Sequence, residues 1–130
     1  MAENPANLKY TKDHEWLKVE GEHGAVGITD FAQHSLTDIV FVELPDVGKK
    51  VEKGKSLAVV ESVKSVSDVF APVSSEVVEV NRELESKPQI VNEDPFGKGW
   101  MVKIKILDKS QIDSLMSKEQ YDKYLSEQKH

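Results

Sequence analysis

The chain is organised around one stretch, Val59-Val60-Glu61-Ser62-Val63-Lys64-Ser65-Val66-Ser67-Asp68-Val69-Phe70-Ala71-Pro72-Val73. Apolar residues that favour strands occupy its two arms, Val59-Val60 and Val69-Phe70, and small residues with one lysine fill the middle. Two such arms around a small-residue tip predict a β-hairpin over residues 59–70 with Lys64 at the tip.

Lys64 is isolated from other basic residues. It is the one lysine between Lys55 and Lys87, and its nearest charged neighbours, Glu61 and Asp68, are acidic. An amine alone on a narrow tip can be reached by a modifying enzyme, and the group that it then carries can swing. Because a turn lysine is usually only a solvated side chain, the sequence around it has to decide between the two interpretations.

Composition limits the class of protein. The 130 residues fit one domain, and an apolar content of 38% argues against global disorder. With 17 basic and 23 acidic residues, we expect no nucleic-acid partner, because no basic surface exists to neutralise phosphates. The chain has no cysteine, which excludes disulfides, thiolate metal sites and thiol catalysis by the polypeptide. Any redox role therefore needs a borrowed cofactor.

No apolar run reaches the length of a membrane span, and residues 1–5 lack a charged-then-apolar leader. We therefore expect no membrane partner and a cytoplasmic location in a bacterium. A mitochondrial matrix location applies only if the chain is a processed eukaryotic product.

Short strands recur roughly every ten residues, with helices only at the margins. This pattern predicts a mainly β fold, a small flattened barrel or sandwich, in a single domain over residues 1–130. Within it we expect a flexible lead at 1–7, a β core at 8–107 that contains the hairpin, and a helical tail at 110–126.

Three segments allow more specific predictions. Thr29-Asp30 followed by Gln33 resembles a capping box and predicts a short internal helix that ends near Leu36. Residues 38–44 form the densest apolar run, which indicates a central strand covered on both faces. Residues 101–106 alternate, with the inward positions Val102, Ile104 and Ile106.

The remaining segments are less regular. Residues 92–99 predict a loop because they are polar and contain Pro95 and two glycines. In the tail, Ser110 and Ser117 are candidate helix caps, each followed three residues later by an acidic or amide side chain, Asp113 and Gln120.

The spacing of the candidate residues along the chain argues against most kinds of catalytic and metal site. No metal site is expected, because no helical or hairpin ligand spacing relates the four histidines, His14, His23, His34 and His130. No glycine-rich loop follows a strand to cradle a nucleotide, and no serine lies in a nucleophile elbow.

The hairpin and its flanks resemble the lipoyl/biotinyl carrier family. The shared pattern is Gly48-x-x-Val51-x-x-Gly54-x-x-Leu57, then Glu61-Ser62-Val63-Lys64-Ser65, then Ala71-Pro72-Val73-Ser74. Biotin carriers typically have methionine on both sides of the modified lysine, and acyltransferase lipoyl domains have an acidic residue before it. This chain has Val63 and Ser65 in those places.

Glu61-Ser62-Val63-Lys64 is similar to the H proteins of the glycine cleavage system. Further segments match them in register: His14-Glu15-Trp16, Gly27-Ile28-Thr29, Asp38-Ile39-Val40-Phe41-Val42-Glu43-Leu44-Pro45, Val78-Glu79-Val80-Asn81 and Gly99-Trp100-Met101-Val102-Lys103. The resemblance covers about Leu8 to Leu107, fits the helical tail and implies the barrel-sandwich hybrid fold.

The resemblance implies lipoate in amide linkage to Lys64, with Glu61, Ser62, Val63 and Ser65 as the attachment motif. It implies a monomeric carrier with no catalysis of its own, which shuttles the aminomethyl group of glycine. The implied partners are lipoyl-attaching enzymes, a pyridoxal-phosphate glycine decarboxylase, a tetrahydrofolate-dependent aminomethyltransferase and an FAD-containing dihydrolipoamide dehydrogenase.

The resemblance also implies a cleft for the loaded arm, with Glu15 and Asp68 as its carboxylates. Ser35 stands where many members have a cleft histidine, and His34 lies one residue earlier. On a helix this shift turns a side chain by about 100°, so the sequence assigns His34 no role in the cleft.

Three alternatives stay open at this point. They are a lipoyl domain cut from a dehydrogenase acyltransferase, an enzyme that uses Lys64 for a Schiff base, and an unmodified interaction module. Relay of lipoate to other carriers, in place of glycine cleavage, is equally compatible with the residues.

Overall fold

The computed structural model describes residues 3–128, which form two antiparallel sheets with helices at their margins. The strands are β1 Lys9–Tyr10, β2 Glu15–Glu20, β3 His23–Ile28, β4 Ile39–Glu43, β5 Lys50–Val51, β6 Ser56–Ser62, β7 Val66–Phe70, β8 Ser75–Val80 and β9 Val102–Ile106. The helices are α1 Asp30–Leu36, α2 Glu83–Ser86, α3 Ile90–Glu93 and α4 Lys118–Gln128, with a 3-10 helix at Lys109–Ser114.

Both sheets contribute to one apolar core. The first sheet has the strand order β1-β2-β3-β9-β8-β5 and the second has the order β4-β6-β7. Val26 of β3 and Ile104 of β9 are buried in the same cluster as Val60 of β6 and Val69 of β7. The two sheets are not closed into one barrel, and the predicted mainly β, flattened-sandwich fold is confirmed.

The hairpin and the internal helix form where the sequence predicts them. Strands β6 and β7 pair from Ser56↔Phe70 to Glu61↔Val66, and residues 63–65 lie at the tip. Helix α1 is capped by Thr29, whose hydroxyl oxygen accepts from the Ala32 backbone N–H. Strand β9 also alternates as expected, with its inward residues buried.

The prediction for residues 38–44 is wrong in one respect. Among residues 3–128, strand β4 pairs with β6 alone, which makes it an edge strand of the second sheet. The pairing register shifts between Ile39 and Phe41, so that Ile39 and Val42 are buried while Val40 and Phe41 are 53% and 45% exposed. A dense apolar run does not by itself separate a central strand from an irregular edge strand.

Two local predictions also need correction. The segment predicted as a loop at 92–99 begins with the end of α3, a four-residue helix without a side-chain cap. The cap of the 3-10 helix is Asp108 and not Ser110, since the Asp108 carboxylate accepts from the Ser110 N–H. Ser117 and Gln120 do form a reciprocal capping box at α4.

The flexibility expected for residues 1–7 stays a prediction. Within this segment Asn4 is buried, and its amide donates to the Asp122 carboxylate over 2.7 Å. Met1 and Ala2, like Lys129 and His130, lie outside the described residues.

Gly27 is required by close packing between β2 and β3. It lies opposite Trp16, and a Cβ at Gly27 would approach the Trp16 ring carbon Cζ2 to 2.6 Å. The indole of Trp16 is buried and its Nε1 donates to the Pro95 carbonyl, so the ring cannot move away from an added Cβ without losing this hydrogen bond. We expect Gly27→Ala to lower the free energy of unfolding by about 1–3 kcal/mol in urea titrations.

Gly21→Asn is the matched control for that experiment. Gly21 has a φ of +65° and no atom within 4 Å of an added Cβ, and asparagine tolerates the left-handed region. Its change should stay within about 0.5 kcal/mol. Equal losses in the two variants would contradict the packing argument.

Candidate functional site

The turn at the hairpin tip is closed by hydrogen bonds to one hydroxyl, that of Ser62. The Ser62 Oγ accepts hydrogen bonds from the backbone N–H groups of Lys64 and Ser65, over 3.1 and 3.0 Å. The Ser62 N–H in turn donates to the Ser65 carbonyl over 2.8 Å. Lys64 is therefore presented from a closed turn and not from a loose loop.

The tip is also tied to the body of the protein. The Val63 N–H donates to the Asp38 carbonyl over 3.0 Å, and the exposed Lys64 amine donates to the Ser35 carbonyl over 3.3 Å. Ser35 lies in the last turn of α1, where carbonyl groups lack helical partners and attract cations. The structure thus brings Lys64 and Ser35 together.

A cleft of about 250 Å³ lies beside this contact. It is formed by α1, by β7 and by the turn before β2, and it is lined by Asp13, His14, Phe31, Ala32, Ser35, Leu36 and Ser67. Its wall is apolar at Phe31, Ala32 and Leu36 and polar at the other lining residues. Such a cleft fits a hydrocarbon arm that starts at the Lys64 amine and carries polar atoms at its end.

Glu15 is a buried carboxylate near the base of the hairpin, with 1% of its surface exposed. Its two oxygens accept from the Thr11 hydroxyl over 2.6 Å and from the Phe70 N–H over 3.0 Å. Burial raises the pKa of Glu15 to about 7, although both hydrogen bonds act in the opposite direction. Glu15 borders a second concavity of about 190 Å³, together with Asp13 and Phe70.

Asp68 lies apart from Glu15. Its exposed carboxylate accepts from the Ser56 hydroxyl over 2.8 Å. Because side chains alternate along a strand, Asp68 occupies the face of β7 opposite Ser67, which lines the cleft. Among residues 3–128, no hydrogen bond joins Asp68 to Glu15 or to Lys64.

His14 and Asp13 line the cleft, and spacing arguments did not single them out. His14 has a positive φ of 68° and lies against Phe31 of α1, with ring centroids 4.6 Å apart. Its Nδ1 lies 2.8 Å from the Tyr121 hydroxyl of α4. The one signal in the sequence was the matching segment His14-Glu15-Trp16, which did not assign a role to the histidine.

The model of the glycine cleavage H-protein family matches residues 8–128. The chain belongs to the glycine cleavage H-protein family. Members of this family are lipoyl carriers of a multienzyme system and bear the lipoate on a lysine. Within residues 3–128, none of the helices has both the length and the apolar character needed to cross a membrane.

Individual H proteins are similar over nearly their whole length. The chain is 56% identical to the glycine cleavage system H protein of Carboxydothermus hydrogenoformans, over 98% of each chain. It is 54% identical to that of Halothermothrix orenii, over 95% of this chain and 96% of the other. The crystal structure of the Mycobacterium marinum H protein superposes with a TM-score of 0.82 at 35% identity, over 96% of this chain and 98% of that one.

The raised pKa of Glu15 has a consequence for stability. The folded protein binds the Glu15 proton more tightly than the unfolded chain, whose carboxyl titrates near its ordinary value of 4.5. Burial of the charge therefore lowers stability as the pH rises from about 4.5 to about 7. Glu15→Gln mimics the neutral acid at every pH.

We expect the parent to lose about 1–3 kcal/mol of unfolding free energy relative to Glu15→Gln between about pH 5 and pH 8. Urea titrations of both proteins at each pH measure this difference. A difference that stays constant with pH would show that Glu15 is ionised in the folded protein throughout.

Proposed function

We propose that this chain is the lipoyl carrier of a glycine cleavage system, with lipoate in amide linkage to the Lys64 Nζ. The observation that carries the proposal is the exposed amine on a fixed tip beside an apolar-walled cleft, in a chain of this family. Glu61, Ser62, Val63 and Ser65 form the attachment motif around it.

The residues present fit such an arm. An acylated Nζ loses its charge but keeps one N–H, which can still donate to the Ser35 carbonyl. Phe31 and Leu36 offer an apolar wall to the hydrocarbon chain. When bound, lipoate supplies the redox-active sulfurs that this cysteine-free chain lacks.

In this function the chain is a substrate and not a catalyst. Its partners are the lipoyl-attaching enzymes, the glycine decarboxylase, the aminomethyltransferase and dihydrolipoamide dehydrogenase, which it serves as a monomer in the bacterial cytoplasm. A Schiff-base enzyme is disfavoured because such chemistry uses a desolvated lysine, whereas Lys64 is exposed. The helical tail at 109–128 disfavours a domain cut from an acyltransferase.

Ser35 is the proposed residue of the cleft itself, and Glu15 and Asp68 are proposed to act on the aminomethyl amine from outside it, because Glu15 borders the second concavity and Asp68 lies on the opposite face of β7. Ser35 is supported by its contact with Lys64. The two carboxylates are proposed because an aminomethyl amine is cationic and each carboxylate oxygen retains a free lone-pair site, with Asp68 the better charged of the two because burial disfavours the charge on Glu15. The exposed Asp68 contact should be worth only about 0.2–1 kcal/mol, so release of the arm would be easy.

The attachment site is tested by mass spectrometry. We expect incubation with lipoate–protein ligase to add one lipoyl group to the apo-protein, on the peptide that contains Lys64. Lys64→Arg should accept none, whereas Lys55→Arg, which changes a lysine at the other end of the same strand region, should be loaded like the parent. Lipoate on any other lysine would refute the assignment.

The intact mass of the protein purified from its host provides a second, independent measurement of the attachment. A single lipoyl adduct excludes the unmodified module and the Schiff-base enzyme together. The Lys64→Arg protein should keep the melting temperature of the parent, because an exposed tip residue contributes little packing.

The roles of Asp68 and Glu15 are tested on the loaded arm. Asp68→Asn and Glu15→Gln should leave ligation unchanged and should each accelerate the decay of the aminomethylated protein a few-fold. The decay is followed at constant pH after removal of the other enzymes. If the double variant decays with the half-life of the parent, neither residue protects the aminomethyl group.

A further inference from the structure

The backbone of His14 is fixed from both sides. Its N–H donates to the Thr11 carbonyl over 3.1 Å, and its carbonyl accepts from the Thr29 N–H over 2.9 Å. The positive φ of His14 is a conformation that histidine adopts more readily than most residues. The imidazole is thereby held in the wall of the cleft, against Phe31.

Two buried hydroxyls are linked to this ring by consecutive hydrogen bonds. The Tyr121 Oη is 2.8 Å from the His14 Nδ1 and 2.8 Å from the Thr29 Oγ1. Thr29 and Tyr121 have no exposed surface. The Thr29 Oγ1 already accepts from the Ala32 N–H as the cap of α1.

The direction of each hydrogen bond follows from a count of protons. A buried hydroxyl needs an acceptor, and among residues 3–128 the one acceptor recorded for the Thr29 hydroxyl is the Tyr121 Oη. Tyr121 therefore accepts from Thr29 and gives its single proton to the His14 Nδ1. Since burial lowers the pKa of His14, the ring is neutral near pH 7, and its one proton must reside on Nε2.

We propose that Thr29 and Tyr121 hold His14 as the Nε2–H tautomer, and that this N–H is a hydrogen-bond donor to the sulfur end of an arm on Lys64. The second half of the proposal rests on the proposed function. His14 and Tyr121 are positioning residues in this scheme, because neither takes part in a bond that is made or broken.

The placement along α1 indicates which part of the arm His14 meets. Lys64 Nζ contacts Ser35, whereas His14 contacts Phe31, four residues earlier on the same face of the helix. The two points are separated by about one helical turn, roughly 5.4 Å. An arm that enters the cleft from Lys64 would pass its amide before it reaches His14, and the acceptors beyond the amide are its sulfur atoms.

The tautomer also has a consequence for selectivity. An Nε2–H cannot accept a hydrogen bond from the cationic amine of an aminomethyl group. His14 would therefore hold the arm and leave the cationic amine to carboxylate acceptors.

The first experiment uses the unmodified protein and is independent of lipoate. Long-range ¹H–¹⁵N spectra of protein labelled at histidine nitrogen should show His14 with a protonated Nε2 and an unprotonated Nδ1. Tyr121→Phe keeps the ring that stacks on Tyr10 but removes the proton donor. Its His14 signals should move toward a mixture of tautomers.

Tyr124→Phe is the matched control. Tyr124 lies on the same helix, its ring is 6.0 Å from His14, and its hydroxyl donates to the Lys12 carbonyl and not to the imidazole. This variant should keep the tautomer of the parent. A protonated Nδ1 in the parent, or a Tyr121→Phe spectrum equal to that of Tyr124→Phe, would overturn the proposal.

The second experiment adds the arm. Lipoylation of Lys64 should shift the His14 Nε2–H resonance, and reduction to the dithiol should shift it again, while Lys64→Arg treated with the ligase should show no change. An Nε2–H resonance unmoved by a confirmed lipoyl adduct would overturn the contact with the arm. Failure of the ligase to modify Lys64 would instead refute the proposed function, and the tautomer would still be decided by the first experiment.

Discussion

A buried carboxylate joins the two sheets where the lysine hairpin begins. Glu15 belongs to the six-stranded sheet, and it accepts from the backbone N–H of Phe70, which belongs to the three-stranded sheet. The β6–β7 register shifts beside Phe70, between Ser56 and Ala58. This shift interrupts the ladder, and Glu15 supplies the acceptor that the N–H needs. The hairpin therefore leaves the core at a fixed place, at the cost of a carboxyl whose ionisation is disfavoured.

Hydrogen bonds also fix the position of the hairpin tip relative to the body of the protein. The Asp38 and Ser35 carbonyls hold the two sides of the tip, and Ser62 closes the turn between them. The cleft beside it is assembled from segments far apart in the chain, with His14 before β2, Phe31 on α1 and Ser67 on β7. For a carrier, these hydrogen bonds fix the point where the arm begins, so that the length of the arm sets how far it reaches.

The sequence predicted what local patterns determine. The hairpin, the Thr29-capped helix and the alternation of β9 follow from residue types within a few positions, and the motif around Lys64 indicated the family. The environment of Glu15 and the Thr29–Tyr121–His14 chain depend on partners 55 to 107 residues apart, which no periodicity reveals. Tyr121 falls in the predicted helical tail, but the sequence could not show that its hydroxyl lies against the His14 ring. The edge position of β4 could not be predicted from the sequence either, because apolar runs occur both in strands with one partner strand and in strands with two.

That edge strand affects how the molecules meet one another. An open strand edge is a template for pairing with another chain, and β4 exposes Val40 and Phe41 close to the tip. The register shift at this point breaks the regular row of backbone donors and acceptors, and Glu43 and Glu61 place negative charge beside it. Two copies that approached edge to edge would meet a mismatched ladder and like charges. The protein can thus leave an apolar surface open next to its lysine without presenting a regular edge to a second copy.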